Sequence, residues 1–162
     1  MKDLRMNELF LFTDGSVNVQ SKIGYGAYLG LSDIGASLDL LETRVKVKRF
    51  EPTSSTKLEL ETLLWAVGDI DSSGCRVTVF TDSQNIVGLP SRRERFEKND
   101  YRSKKNRRLN HYKLYQAFFR LTDRLCCDFV KVRGHQVSRD KELIDQFFTL
   151  VDRASRKALR DR

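Results

Sequence analysis

The chain has 162 residues and a mass of 18.9 kDa, the size of one ordinary domain, and we read residues 1–162 as that domain. Hydrophobic residues make up 40% and charged residues 32%, enough apolar side chain for a core but with no run near the roughly 18 residues that span a bilayer, which excludes a disordered tail and a membrane protein. The charged start, Met1-Lys2-Asp3-Leu4-Arg5, has no apolar segment behind it, so secretion is not expected; Lys and Arg outnumber acids 30 to 22, a net charge of +8 that fits either attraction to polyanions or a merely soluble basic surface.

The first element is an apolar, aromatic run, Glu8-Leu9-Phe10-Leu11-Phe12-Thr13, ended by Asp14-Gly15. It reads as a buried strand. Gly24–Leu31 reads as a second strand. Arg44–Lys48 alternates polar and apolar residues and reads as a half-exposed third strand. From Thr56 to Val67 the period becomes helical, with Leu58, Leu60, Leu63, Leu64, Ala66 and Val67 as the apolar positions. Ser54, Ser55 and Thr56 are N-cap candidates. Asp71-Ser72-Ser73-Gly74 breaks that helix, and Arg76–Thr81 is a fourth strand, followed by Asp82. A short helix, Gln84–Leu89, should stop at Pro90.

Residues 91–108 carry nine Lys or Arg against three acids, so most of the net charge sits in one segment. A helix over Asn110–Arg124 follows, then a fifth strand, Cys127–Val132, and a helical segment within Lys141–Arg160. The order predicts an α/β fold: a five-stranded mixed sheet, three antiparallel strands and then parallel ones, flanked by helices. Cys75, Cys126 and Cys127 have neither zinc spacing nor the number for a disulfide framework. They read as small, mostly buried thiols in a reducing compartment, which places the protein in the cytoplasm.

Two strands end alike, Phe12-Thr13-Asp14-Gly15 and Phe80-Thr81-Asp82-Ser83. Sites in open α/β sheets gather at the carboxyl ends of strands. If these strands are parallel neighbours, the two carboxylates sit side by side, and a divalent cation would neutralise them. Asp is also favoured in turns and helix caps, so a purely structural role fits each residue taken alone. The intervening helix offers Glu59 and Glu61, which point in different directions. One is surface charge; the other can face the Asp pair.

At this point the sequence resembles the type 1 ribonuclease H family along nearly its whole length. Thr13-Asp14-Gly15-Ser16 followed by Gly24-Tyr25-Gly26-Ala27 resembles the family's first hairpin. Lys57-Leu58-Glu59-Leu60 resembles its first long helix, which selects Glu59 over Glu61. Thr81-Asp82-Ser83-Gln84 resembles its fourth-strand motif, Val132-Arg133-Gly134-His135 its catalytic-loop histidine, and Val151-Asp152-Arg153-Ala154 its final helix. The resemblance implies the ribonuclease H-like fold. It also implies a nuclease that cuts the RNA strand of RNA–DNA hybrids with two Mg2+ ions, for which Mn2+ can substitute, leaving 3′-hydroxyl and 5′-phosphate ends. Asp14 would bridge both ions, Glu59 and Asp82 would hold one and Asp152 the other, and His135 would help move protons or release product. Two cations about 4 Å apart suit in-line displacement at a phosphodiester, and carboxylate oxygens suit magnesium.

Three departures from the family pattern bear on the site. His135 and Asp152 are widely spaced, so 136–149 reads as an insertion. It is expected to hold a short extra helix burying Leu143, Ile144, Phe147 and Phe148. Within it Asp145, seven residues before Asp152, is the alternative fourth ligand. Ser55-Thr56 stands where relatives carry an Asn pair that touches the hybrid. The basic stretch 91–108 takes the place of a basic, tryptophan-bearing protrusion. Substrate contacts are therefore expected from Gly15, Ser16, Ser54, Ser55, Thr56 and Gln84, and from Arg92, Arg93, Lys104 and Lys105 on phosphates. The partner is nucleic acid, without a membrane, and the protein is expected as a monomer. The rival readings are a structure-specific DNA nuclease on the same fold and a binding protein that has lost cleavage.

Overall fold

The structure is a computed structural model that describes residues 6–35, 38–132 and 139–162, for 139–142 the backbone alone. Its centre is a five-stranded sheet in the order β3-β2-β1-β4-β5. β1 (Asn7–Asn18) pairs antiparallel with β2 (Ile23–Leu31), which pairs antiparallel with β3 (Lys46–Phe50). On its other side β1 runs parallel to β4 (Cys75–Thr81), which runs parallel to β5 (Cys126–Lys131). The mixed sheet expected from the order of elements is the one observed.

β1 is apolar on both faces because both are covered. Leu9 and Leu11 pack with Leu60, Leu63, Val77, Val79 and Phe118. Phe10 and Phe12 point the other way, toward Phe80 and Phe147. α2 (Ser55–Asp69), α3 (Gln84–Lys98) and α4 (Tyr112–Arg124) build the first layer; α5 (Arg139–Arg160) builds the second. Phe147, Val151 and Ser155, spaced one turn apart, are fully buried along the inner face of α5. Phe147 meets the Phe12 ring edge-on at 5.5 Å between centroids, and full burial of such a side chain stabilises the fold by about 2–3 kcal/mol.

Several local expectations change. β1 continues through Asp14 to Asn18, because Asp14 to Asn18 stay paired with Ala27 to Ile23; the expected stop at Thr13 is wrong. β3 lies two residues later than expected and is exposed on both faces up to Phe50, as befits an edge strand studded with Lys and Arg. A short helix α1 (Leu38–Leu41) and a 3-10 turn (Glu42–Arg44) precede it, buried through Leu41; a single apolar anchor carries no period to read. The expectation of mostly buried thiols is not met: Cys126 is exposed and Cys75 and Cys127 are half-buried, because Cys126 and Cys127 open the edge strand β5 and Cys75 is the first residue of β4.

The helix expected to stop at Pro90 instead runs on to Lys98. Proline removes one N–H from the helix interior, the one that would serve the Ile86 carbonyl, but α3 is held on both sides of it by Ile86, Leu89 and Phe96 packed into the core. The Arg92 guanidinium bonds the Asn85 and Gly88 carbonyls and the Asn85 side chain. Half of the basic stretch is therefore helix. Likewise α5 is one continuous helix from Arg139, so the described part of the insertion extends the final helix rather than forming a separate one. Leu143, Ile144 and Phe148 pack half-buried beside the buried Phe147, as core. Among the described residues no helix is long and apolar enough to cross a membrane.

Candidate active site

Four elements deliver four acids to the carboxyl end of β4. Phe12 pairs with Phe80 across the parallel strands, so the alternation that buries both rings also sets Asp14 level with Asp82, two residues on. Asp14 rides on β1 as it extends past the end of β4. α2 crosses this hairpin closely. A Cβ on Gly15 would meet Leu58 at 2.8 Å, and one on Gly26 would lie 2.1 Å from Thr62 Oγ1. Glycine at both positions lets α2 settle against the strands and bring Glu59 to the site. Asp152 arrives from α5, half-buried and directly after Val151 of the buried stripe.

The acids perturb one another. Burial first, then the Asp82 charge, then a hydrogen bond with the Asp152 carboxyl push the Asp14 carboxyl up to about 8. Asp82 stands at the exposed rim, but partial desolvation and the Asp152 charge raise its carboxyl above the usual range. Lys131 and Arg156 pull the other way. Glu59 is raised by burial and opposed by a hydrogen bond from Ser83. The Ser83 hydroxyl donates to Glu59 Oε2 at 2.7 Å and accepts from the Ile86 N–H at 3.2 Å, so one side chain caps α3 and fixes Glu59. Glu61 points elsewhere and accepts from Thr53 Oγ1 at 2.7 Å. Arg156 Nε donates to Asp152 Oδ1 at 2.9 Å.

The acids meet pairwise, and among the described residues no three Asp, Glu, His or Cys side chains stand as a ready-made ligand set. The donor set nevertheless suits a hard divalent cation, since it is all carboxylate oxygen and Asp14 is held in a pocket where its own charge is disfavoured. Asp145 lies two turns of α5 before Asp152, about 10 Å along the axis, and the carboxyl that reaches Asp14 is that of Asp152. His135 lies outside the described residues.

The expected substrate contacts divide. Gly15 and Ser16 continue β1 from Asp14, and Ser16 Oγ lies 3.0 Å from Ser155 Oγ. Ser54 is the N-cap of α2 and accepts from the Lys57 N–H; Ser55 is exposed and Thr56 half-buried in the first turn. Gln84 is exposed at the start of α3, where its Oε1 accepts from Lys131 Nζ at 3.1 Å. Arg92 is engaged within α3, and Arg93 ties α3 to α4 through Asp123 and also pairs with Glu97. Lys104 and Lys105 lie exposed in the following turn.

Three residues went unread in the sequence. Ser83 follows Asp82 just before an apolar helix, a cap signal that could have found it. Ser155 lies on the buried stripe of α5, one turn past Val151. Thr62 is buried, lines a small cavity of about 10 Å3 beneath Asp14, Glu59 and Asp82, and its hydroxyl has no hydrogen-bond partner.

The chain matches the family model described as RNase H over residues 6–152. It is similar to a ribonuclease HI of Vibrio parahaemolyticus serotype O3:K6 (strain RIMD 2210633), 27% identical over 138 residues and covering 84% of each chain. Among solved structures it is similar in fold to a foamy viral protease-reverse transcriptase in complex with dsDNA. There the TM-score is 0.61 at 13% identity, over 94% of this chain and 96% of that one. Members of the matched family generally use divalent metal ions. With the sheet order, the acid cluster and a family match over most of its length, the chain belongs to the ribonuclease H family and is a ribonuclease H enzyme.

Proposed function

We propose that the protein is a metal-dependent endonuclease that hydrolyses the RNA strand of RNA–DNA hybrids, leaving 3′-hydroxyl and 5′-phosphate ends. The observation that carries this reading is the gathering of Asp14, Glu59, Asp82 and Asp152 from four elements at one sheet end, with Asp14 held as a carboxyl resistant to ionisation. These four residues would hold two Mg2+ ions, which when bound supply charge neutralisation at the phosphodiester and a more acidic attacking water. Ser83 keeps Glu59 aimed through its donated hydrogen bond. Arg156 steadies Asp152. Gly15 and Ser16 extend the β1 edge where a strand would lie, and selection of RNA would rest on the 2′-hydroxyls. Lys104 and Lys105 would meet phosphates, whereas the internal partners of Arg92 and Arg93 make them braces of α3 first.

The test is one gel. Labelled RNA–DNA hybrid, double-stranded RNA and double-stranded DNA are incubated with the protein in magnesium, manganese or chelator. The reading requires cleavage of the hybrid's RNA strand in either metal and none in chelator. Cutting of double-stranded DNA alone would favour a DNA nuclease, and hybrid binding without any product would favour a binding protein.

A further inference from the structure

Beyond Asp152, α5 carries Arg156 and Arg160 at successive four-residue steps, on one helix face and about 6 Å apart along the axis. They line an open groove of about 570 Å3 with Ser16, Asn18, Leu159 and Arg162. The lining holds three guanidinium groups, a hydroxyl, an amide and no acid. A helix C-terminus attracts cations by itself, but that attraction is indifferent to helix face. It does not explain why two of the arginines fall in line with Asp152, or why the β1 edge meets them with polar side chains.

The groove is coupled to the acid cluster at two points. Ser155 Oγ donates to the Asp152 carbonyl at 3.0 Å, so Ser16 Oγ is the donor in its 3.0 Å contact with Ser155. That contact locks the β1 edge to α5 beside Asp14. Arg156, whose side chain is 70% exposed, uses Nε on Asp152, and its outer N–H groups remain to donate. Asn18 Oδ1 accepts from the Gln20 and Ser21 N–H groups, which leaves the Asn18 NH2 as a donor.

Resting on the nuclease reading above, we infer that this groove is a second anion subsite. It receives backbone phosphates of the cut strand one and two nucleotides past the scissile bond, with Arg156 and Arg160 as its main contacts. Guanidinium groups grip phosphate oxygens in pairs. A strand lying along α5 therefore passes from the carboxylates of the reaction centre to a cation at each following turn.

The experiment measures hybrid binding by fluorescence anisotropy, in magnesium, across a series of salt concentrations. The chain carries Asp14→Asn to prevent cutting. Adding Arg156→Gln and Arg160→Gln should weaken binding at least tenfold at low salt. It should also reduce the slope of log K against log salt by roughly two, since each phosphate contact contributes about 0.9. The control pair Lys113→Gln and Arg120→Gln, on α4 beneath the opposite sheet face, should leave the slope unchanged. An unchanged slope for the α5 pair, or an equal change in the control, overturns the subsite while leaving the nuclease reading intact. Failure of the Asp14→Asn chain to bind hybrid at any salt overturns both.

Discussion

Replacing Asp14 with Asn should stabilise the protein in chelator. In the fold the Asp14 carboxyl is pushed from an ordinary 3.8 up to about 8 by burial and by Asp82 and Asp152. The native state therefore holds a proton that the unfolded chain has released, and stability falls as pH rises between those two values. Below about pH 4 both states are protonated and the deficit disappears; above about pH 8 it is complete. Each tenfold displacement of the protonation equilibrium is worth about 1.4 kcal/mol, so the deficit at pH 7 reaches at most about 4 kcal/mol. Water at the mouth of the site and the need to hold a buried amide leave a gain of about 2 kcal/mol for the Asn variant. In a chain of this length that gain is a Tm increase of roughly 4–8 °C. Thermal unfolding followed by circular dichroism from pH 4 to 9 in chelator checks it. The expected pattern is a Tm difference in favour of the variant that is smallest at pH 4 and grows to a plateau above pH 8. Magnesium should then raise Tm in the wild type more than in the variant. A lower Tm for Asp14→Asn at pH 8, or a gain that ignores pH, would refute the reasoning.

The remaining predictions concern separate parts of the molecule. Phe147→Ala, which empties a fully buried ring site against Phe12, should destabilise by about 3–5 kcal/mol in urea unfolding; a loss under 1 kcal/mol would mean that α5 does not pack as described. Thr62→Val removes a buried hydroxyl without a partner at nearly constant shape, and should be neutral or stabilising by about 1 kcal/mol in the same assay. A clear loss would show that the hydroxyl is satisfied. Asp152→Asn should abolish hybrid cleavage while Asp145→Asn leaves it within a factor of two, measured as initial rates in magnesium. The reverse order would transfer the fourth acid to Asp145.

The fold was legible because its signals are repeated and independent. The run Leu9–Phe12 is apolar at every position, as a strand covered on both faces must be, and Leu58 to Val67 keep a helical period. The matching Thr-Asp endings at Asp14 and Asp82 would set two carboxylates side by side if their strands were parallel neighbours, and the sheet has them adjacent and parallel. What escaped depends on contacts between distant residues. Pro90 argued for a helix end because the core contacts of Ile86, Leu89 and Phe96, which hold α3 through the proline, are invisible to local pattern. β1 runs beyond Asp14 because β2 pairs with it, not because of its own composition. The role of Ser83 depends on Glu59, 24 residues away, and the Ser16–Ser155 contact spans 139 residues. Arg92 and Arg93 looked like phosphate contacts by charge alone, while in the fold they brace α3.

The most direct test of the central claim, that four acids form one cation-holding centre, is anomalous diffraction from crystals soaked in Mn2+. Peaks bounded by Asp14, Glu59, Asp82 and Asp152, and lost in crystals of Asp14→Asn, are the predicted result. Ordered crystals with these side chains turned to solvent and no peak among them would contradict it.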